Sequence, residues 1–236
     1  LGRRSLLAAP VALASLPARA QPARPLRLIV PFPAGGTMDI QARLFAPLLA
    51  ERLGATVVVD NRPGGGTVIA TQEAARAPTD QPTLLMIANS FTINPTLHGN
   101  LPYDIFRDFE PVALASIIPH ALAVHPSVPA RSVAEFVDLA RARPGAISYA
   151  SYGTGTSNHL NTELLARRAG VSFTHVPYRG FVQWFPDLLQ NRVQFTIANL
   201  PEVVPPGRDG RLRLLAVAHE TRVPALPDTP TLAEAG

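Results

Sequence analysis

Between Leu26 and Asp39 the chain runs from a short apolar stretch, Leu-Arg-Leu-Ile-Val, through Pro-Phe-Pro-Ala into Gly35-Gly36 and then a pattern of helical period. A strand that turns on glycine straight into a helix is the repeating corner of α/β architecture. It leaves the first amides of the helix without intrahelical acceptors, at the positive end of the helix dipole, where an anion can be received. A second corner follows Ile147 to Tyr149, where Tyr152-Gly153-Thr154-Gly155-Thr156-Ser157-Asn158-His159 opens another helical pattern. Facing each other, two such corners would clamp a carboxylate.

Strand-like runs alternate with helical patterns along most of the chain, which selects α/β over all-α or all-β folds. Leu26 to Val30 is the first strand. The helix expected from Asp39 to Leu53 carries Ile40, Leu44, Leu48 and Leu49 at helical spacing, and Pro47 within it predicts a kink or an early break. Val57 to Val59, a helix from Thr67 to Arg76, and Leu84 to Ile87 follow. Ala121 to Val124 starts a second series: a capping box at Ser132-Val133-Ala134-Glu135 with a helix to Arg143, Ile147 to Tyr149, and a helix from Ser157 to Ala169 closed by Gly170. Thr174 to Val176, a helix from Val182 to Asn191, Phe195 to Ile197 and Leu212 to Ala218 complete it. This order fits two lobes with a cleft between them, residues 21–120 forming the first and 121–215 the second, and 216–236 returning to the first.

The ends and the composition narrow the setting. Arg3-Arg4, an apolar run from Ser5 to Leu16 and Ala18-Arg19-Ala20 read as a secretory signal peptide over residues 1–20, which places the mature chain outside the cytoplasm. Arg3-Arg4-Ser5-Leu6-Leu7 also resembles a twin-arginine signal, so two export routes stay open. All 21 basic residues are arginine. The absence of lysine excludes a phosphate-loop lysine and Schiff-base chemistry. No basic run interleaves with aromatics, so nucleic acid is not expected as a partner. With no cysteine and no metal-ligand spacing among the six histidines, neither disulfides nor a metal site are expected, and no cofactor.

The ordered segments Leu28 to Gly36 with Asp39, Val59 to Gly64, Leu101 to Asp104 with Asp108-Phe109, Tyr149 to Leu160, His175 to Gly180 and Pro227 to Gly236 resemble the extracytoplasmic solute receptors of tripartite tricarboxylate transporters, the Bug or TctC type. The resemblance implies a periplasmic binding protein type 2-like fold without catalysis, which takes a small organic carboxylate and hands it to a membrane permease or a signalling partner. It further implies ligand contacts from Pro33, Ala34, Gly35, Gly36 and Asp39, with Asn89 and Ser90 from the first lobe. From the second lobe it implies Tyr152, Gly153, Thr154, Gly155, Thr156, Ser157 and His159, then Tyr178, Arg179, Gly180 and Asn199. Family members continue past Glu234-Ala235-Gly236, so the resemblance also implies C-terminal truncation.

Competing readings come from the same residues. Asp39 reads as a helix-start carboxylate stabilised by the dipole, or as a ligand contact through water. Gly153-Thr154-Gly155 lacks the third glycine of a dinucleotide fingerprint, since Asn158 stands there. Gly64-Gly65-Gly66 reads as a turn at the lobe surface or cleft rim. Ser157 or Ser151 with a histidine would serve a secreted hydrolase, although no nucleophile elbow is present. Phe181, Val182, Gln183 and Trp184 are bulky where the family carries small residues; if they face the cleft, a flat aromatic acid is favoured.

Overall fold

The computed structural model describes residues 24–236, and the expected signal peptide lies outside them. Two sheets organise the chain. The first is parallel and holds β1 (Leu26–Val30), β2 (Val57–Asn61) and β3 (Thr83–Leu85) in the order β2-β1-β3. Its helices are α1 (Thr37–Leu53), α2 (Val68–Ala75) and α3 (Ser90–Leu97). The second sheet runs β6-β5-β7-β4-β8, with β4 (His120–Val124), β5 (Ser148–Ser151), β6 (Thr174–Pro177), β7 (Phe195–Asn199) and β8 (Arg213–Ala218). It carries α4 (Val133–Ala142), α5 (Ser157–Ala169), α6 (Phe181–Leu189) and α7 (Leu200–Arg208). Strand β4 is antiparallel to both β7 and β8; the pairs of β5 with β6 and β7 are parallel.

The second sheet is covered on both faces, and its sequence alternates accordingly. Ala121, Ala123 and Ala198 join Trp184, Leu188 and Val203 on one side. Leu122, Val124, Phe195 and Ile197 meet Phe136 and Tyr149 on the other. Each of these large side chains, fully buried, stabilises by roughly 1.5–3 kcal/mol. The first sheet's core is thinner: its cluster is built on Leu28, Val30 and Ala42, packed against Met38, Val59 and Leu84.

Helix α1 forms without the expected break. It continues past Pro47 to Leu53 and stops at Gly54 in the left-handed region, whose N–H caps the Ala50 carbonyl. Its buried face is Thr37, Asp39, Ala42 and Ala46, whereas Ile40, Leu44 and Leu48 point outward at 52%, 63% and 60% exposure. The small residues thus face the sheet and let the helix lie close, and the apolar stripe that announced the helix is the outer one. The Ser132 cap forms as expected, its Oγ accepting from the Glu135 amide at 3.1 Å.

The expected return of residues 216–236 to the first lobe is corrected by the pairing of β8. That strand stays beside β4, Thr231 bridges Val217, and Leu232 and Ala235 pack on the second core. No helix among the described residues is long and apolar enough to cross a membrane.

Candidate functional site

Both glycine corners occupy topologically equivalent places. From β1 the chain passes through α1 to β2 on one side, then through α2 to β3 on the other. From β5 it passes through α5 to β6 on one side, then through α6 to β7 on the other. Each corner therefore leaves the carboxyl end of a strand where successive crossovers diverge, which is where open α/β sheets leave a crevice for a ligand.

The two corners meet elements of the opposite lobe at close range. Gly180 backs onto the Pro33 ring, and Gly35, at φ 87°, lies under Val182. Gly66 sits so near the Thr154 carbonyl that a Cβ there would fall 2.5 Å from the oxygen. A cleft of about 500 Å³ remains between the lobes. Gly64, Gly65, Gly66 and His98 line its first side; Tyr152, Gly153, Thr154, Pro177, Tyr178, Arg179 and Gln183 line the other. A cavity of about 420 Å³ near Gly207, Leu214 and Leu226 lies wholly within the second lobe, away from both corners.

Five of the expected ligand residues, Tyr152, Gly153, Thr154, Tyr178 and Arg179, line the cleft. Arg179 is exposed, its amide donates to Gln183 Oε1, and its guanidinium makes no ion pair among the described residues. Tyr178 donates its hydroxyl to Asp187 at 2.7 Å; burial first, and then that carboxylate, push its pKa up to about 12. Gly153 lies at φ 114°, its amide on Ser151 Oγ and its carbonyl taken by the Thr156 hydroxyl at 2.6 Å.

Other expected contacts are engaged within the protein. Asp39 accepts from the Gly35 amide at 2.9 Å and from Arg43 Nε. Burial drives its pKa upward, but Arg43, the Gly35 amide and Asn61 outweigh that and hold it below the usual carboxylate value. Pro33 and Ala34 form the lobe contact and its exposed shoulder, and Gly36 is the α1 cap. Ser90 is enclosed and bonded to the Thr67 hydroxyl at 2.9 Å, while the Asn89 carbonyl accepts from Thr92 and Ile93. Gly155 abuts Leu97 and Asn94, and its amide points to His159 Nδ1 at 3.4 Å. Burial lowers the pKa of His159, whose ring lies 4.4 Å from that of His175.

Glu202 and Thr37 escaped the sequence reading. The Glu202 carboxylate, 7% exposed, accepts from the Thr37 amide at 3.2 Å, the Thr37 hydroxyl at 2.8 Å, the Tyr152 hydroxyl and Asn199 Nδ2 at 3.4 Å. Burial raises its pKa, against the lowering effect of these donors. A charged residue on a helix whose sequence reads as a proline-rich breaker gave no signal.

The triad idea finds no support in the geometry. Ser157 faces His120 at 3.2 Å, and Ser151, which does bond His175 Nε2 at 2.6 Å, has no exposed surface. Trp184 is likewise fully buried in the second core, so it does not shape the cleft. Of its neighbours only Gln183 lines it.

Two α/β lobes with a cleft between them, lined by Gly64 to Gly66 on one side and Tyr152 to Thr154 on the other, have the architecture of the periplasmic solute-binding proteins, which bind a ligand without transforming it. The chain belongs to the receptor family of the tripartite tricarboxylate transporters, whose family model matches residues 41–236. The protein BugT of Bordetella pertussis is 37% identical to it, over 98% of this chain and 70% of that one. A protein of R. palustris solved with adipate superposes with a TM-score of 0.86 at 39% identity, covering 91% of this chain and 72% of that one. MatC from Rhodopseudomonas palustris, solved with bound malate, gives a TM-score of 0.84 at 30% identity, covering 92% of this chain and 74% of that one.

Proposed function

We propose that this chain captures a small organic carboxylate in the cleft between its lobes and presents the closed form to the membrane permease of a tripartite tricarboxylate transporter. The observation that carries this reading is the cleft between the two lobes, walled on one side by the second glycine corner and by Arg179, whose guanidinium makes no ion pair among the described residues. The relatives solved with adipate and malate support a carboxylate as the common group. The Tyr152 to Thr156 turn and Arg179 are the parts suited to hold it, the guanidinium as a two-pronged donor. Closure supplies the remainder by excluding water from these hydrogen bonds.

A thermal-shift screen of the purified chain against mono-, di- and tricarboxylates and amino acids tests the reading. A ligand at 100 times its Kd stabilises by about 2.7 kcal/mol, a readily measured rise in Tm. Selective shifts with acids are expected. A cooperative melt that no acid moves would count against it.

A further inference from the structure

We propose that Glu202 sets the ligand class, by filling the anion position at the start of α1 with the chain's own carboxylate so that the cleft takes acids with one carboxylate and rejects those with two. The proposal rests on the reading of the cleft as a carboxylate site.

The contacts of Glu202 are those of a bound acid. Every partner donates: the Thr37 amide and hydroxyl from the first lobe, the Tyr152 hydroxyl and the Asn199 amide from the second. Burial and the neighbouring Glu202 carboxylate raise the Tyr152 pKa far above its usual value, which keeps its proton in place as a donor. The Thr37 amide lies in the first turn of α1, among those that the helix itself leaves unsatisfied. The adjacent Gly35 amide is taken by Asp39. A ligand carboxylate brought to this corner would therefore meet two occupied donors and the Glu202 carboxyl group that holds one of them.

Among the described residues Arg179 is the one arginine lining the cleft, and His98 is the one histidine, on the opposite side. His120, His159 and His175, the histidines nearest the second corner, have pKa values lowered by burial and carry no charge at neutral pH. One guanidinium at the cleft wall can pair with one ligand carboxylate, and the donors at Thr37 that would take a second are held by Glu202.

Isothermal titration with acids matched in carbon skeleton tests this: hexanoate against adipate, and butanoate against succinate. The wild type should bind each monocarboxylate at least tenfold more tightly than its partner. Glu202→Gln, which keeps the side-chain shape and removes the charge, should shrink that ratio tenfold or more, and Glu202→Ser should do the same by opening the space. A wild type that binds adipate or succinate as tightly as the monoacid overturns the assignment, whatever the variants do. So does an unchanged ratio in both variants. No binding of any mono- or dicarboxylate would overturn the carboxylate reading and the Glu202 role with it, an outcome distinct from binding with the opposite preference.

Discussion

Gly65 and Gly66 offer an internally controlled measure of how closely the lobes must approach. Both lie at φ 58°, so alanine meets the same left-handed strain at either position. That strain costs about 1–2 kcal/mol and is partly offset by about 0.4–1 kcal/mol from the stiffer unfolded chain. The surroundings differ. A Cβ on Gly65 would make ordinary 3.6 Å contacts with Ile69 and Val68, whereas one on Gly66 would fall 2.5 Å from the Thr154 carbonyl oxygen of the other lobe. To restore 3.0 Å the lobes must part by roughly 0.5 Å, and backbone cannot rotate away as a side chain would. Overpacking of this kind costs about 1–3 kcal/mol, and here it falls on the closed state alone. Gly66→Ala should then weaken carboxylate binding roughly 5- to 150-fold, and Gly65→Ala less than about threefold. Urea unfolding should give the two variants similar stabilities, while titration with the acid selected by the thermal screen separates them. Because the chain has no cysteine, dyes on Glu51→Cys and Arg167→Cys can report lobe separation without ligand. Equal losses of affinity in both variants would refute the argument, since only backbone strain is common to them.

Three further outcomes are expected. Asp39 has its folded pKa held below 3.8, so its stabilisation is full well above that value and is lost as pH falls through the lower folded one; the stability gap between wild type and Asp39→Asn should hold steady near neutral pH and narrow progressively once pH falls below about 3.8, and a constant gap in urea midpoints across that range would contradict this. Trp184 is fully buried with no partner for Nε1 among the described residues. Trp184→Phe should cost about 1–2 kcal/mol in denaturation yet change acid affinity by less than about twofold; a large affinity loss without destabilisation would place the ring in the cleft after all. Ser132→Ala removes the α4 cap and should cost about 1 kcal/mol, and an unchanged melting curve would show the cap to be idle.

The reach of the sequence reading follows from which signals are local. Strand runs such as Phe195 to Ile197, the Ser132 cap, and the glycine stops at Gly54 and Gly170 depend on a few neighbouring residues, and each forms close to where it was expected. Helix α7 was not read because Pro201, Pro205 and Pro206 punctuate it, yet only Pro201 sits in the tolerant first turn and the others still leave nine residues helical. Missing that helix concealed Glu202. The corner amides were legible as donors, but whether a ligand or an internal carboxylate accepts from them depends on residues 165 positions apart, Thr37 and Glu202, and no local pattern carries that. Whether Trp184 faces the cleft stays open in the sequence for a similar reason: a bulky run after Gly180 does not say which turn of α6 faces inward.

The unequal cores give unfolding a direction. The second lobe has a five-stranded sheet enclosed on both faces, whereas the first holds three strands over a handful of enclosed side chains. Local opening should begin where few apolar contacts resist it, so amides of β2 and β3 lose protection before those of β4 and β7. Glu202 then acts as a strut from the sturdier lobe: by gripping Thr37 at the head of α1, it ties the helix that covers the weaker sheet to a frame that does not yield.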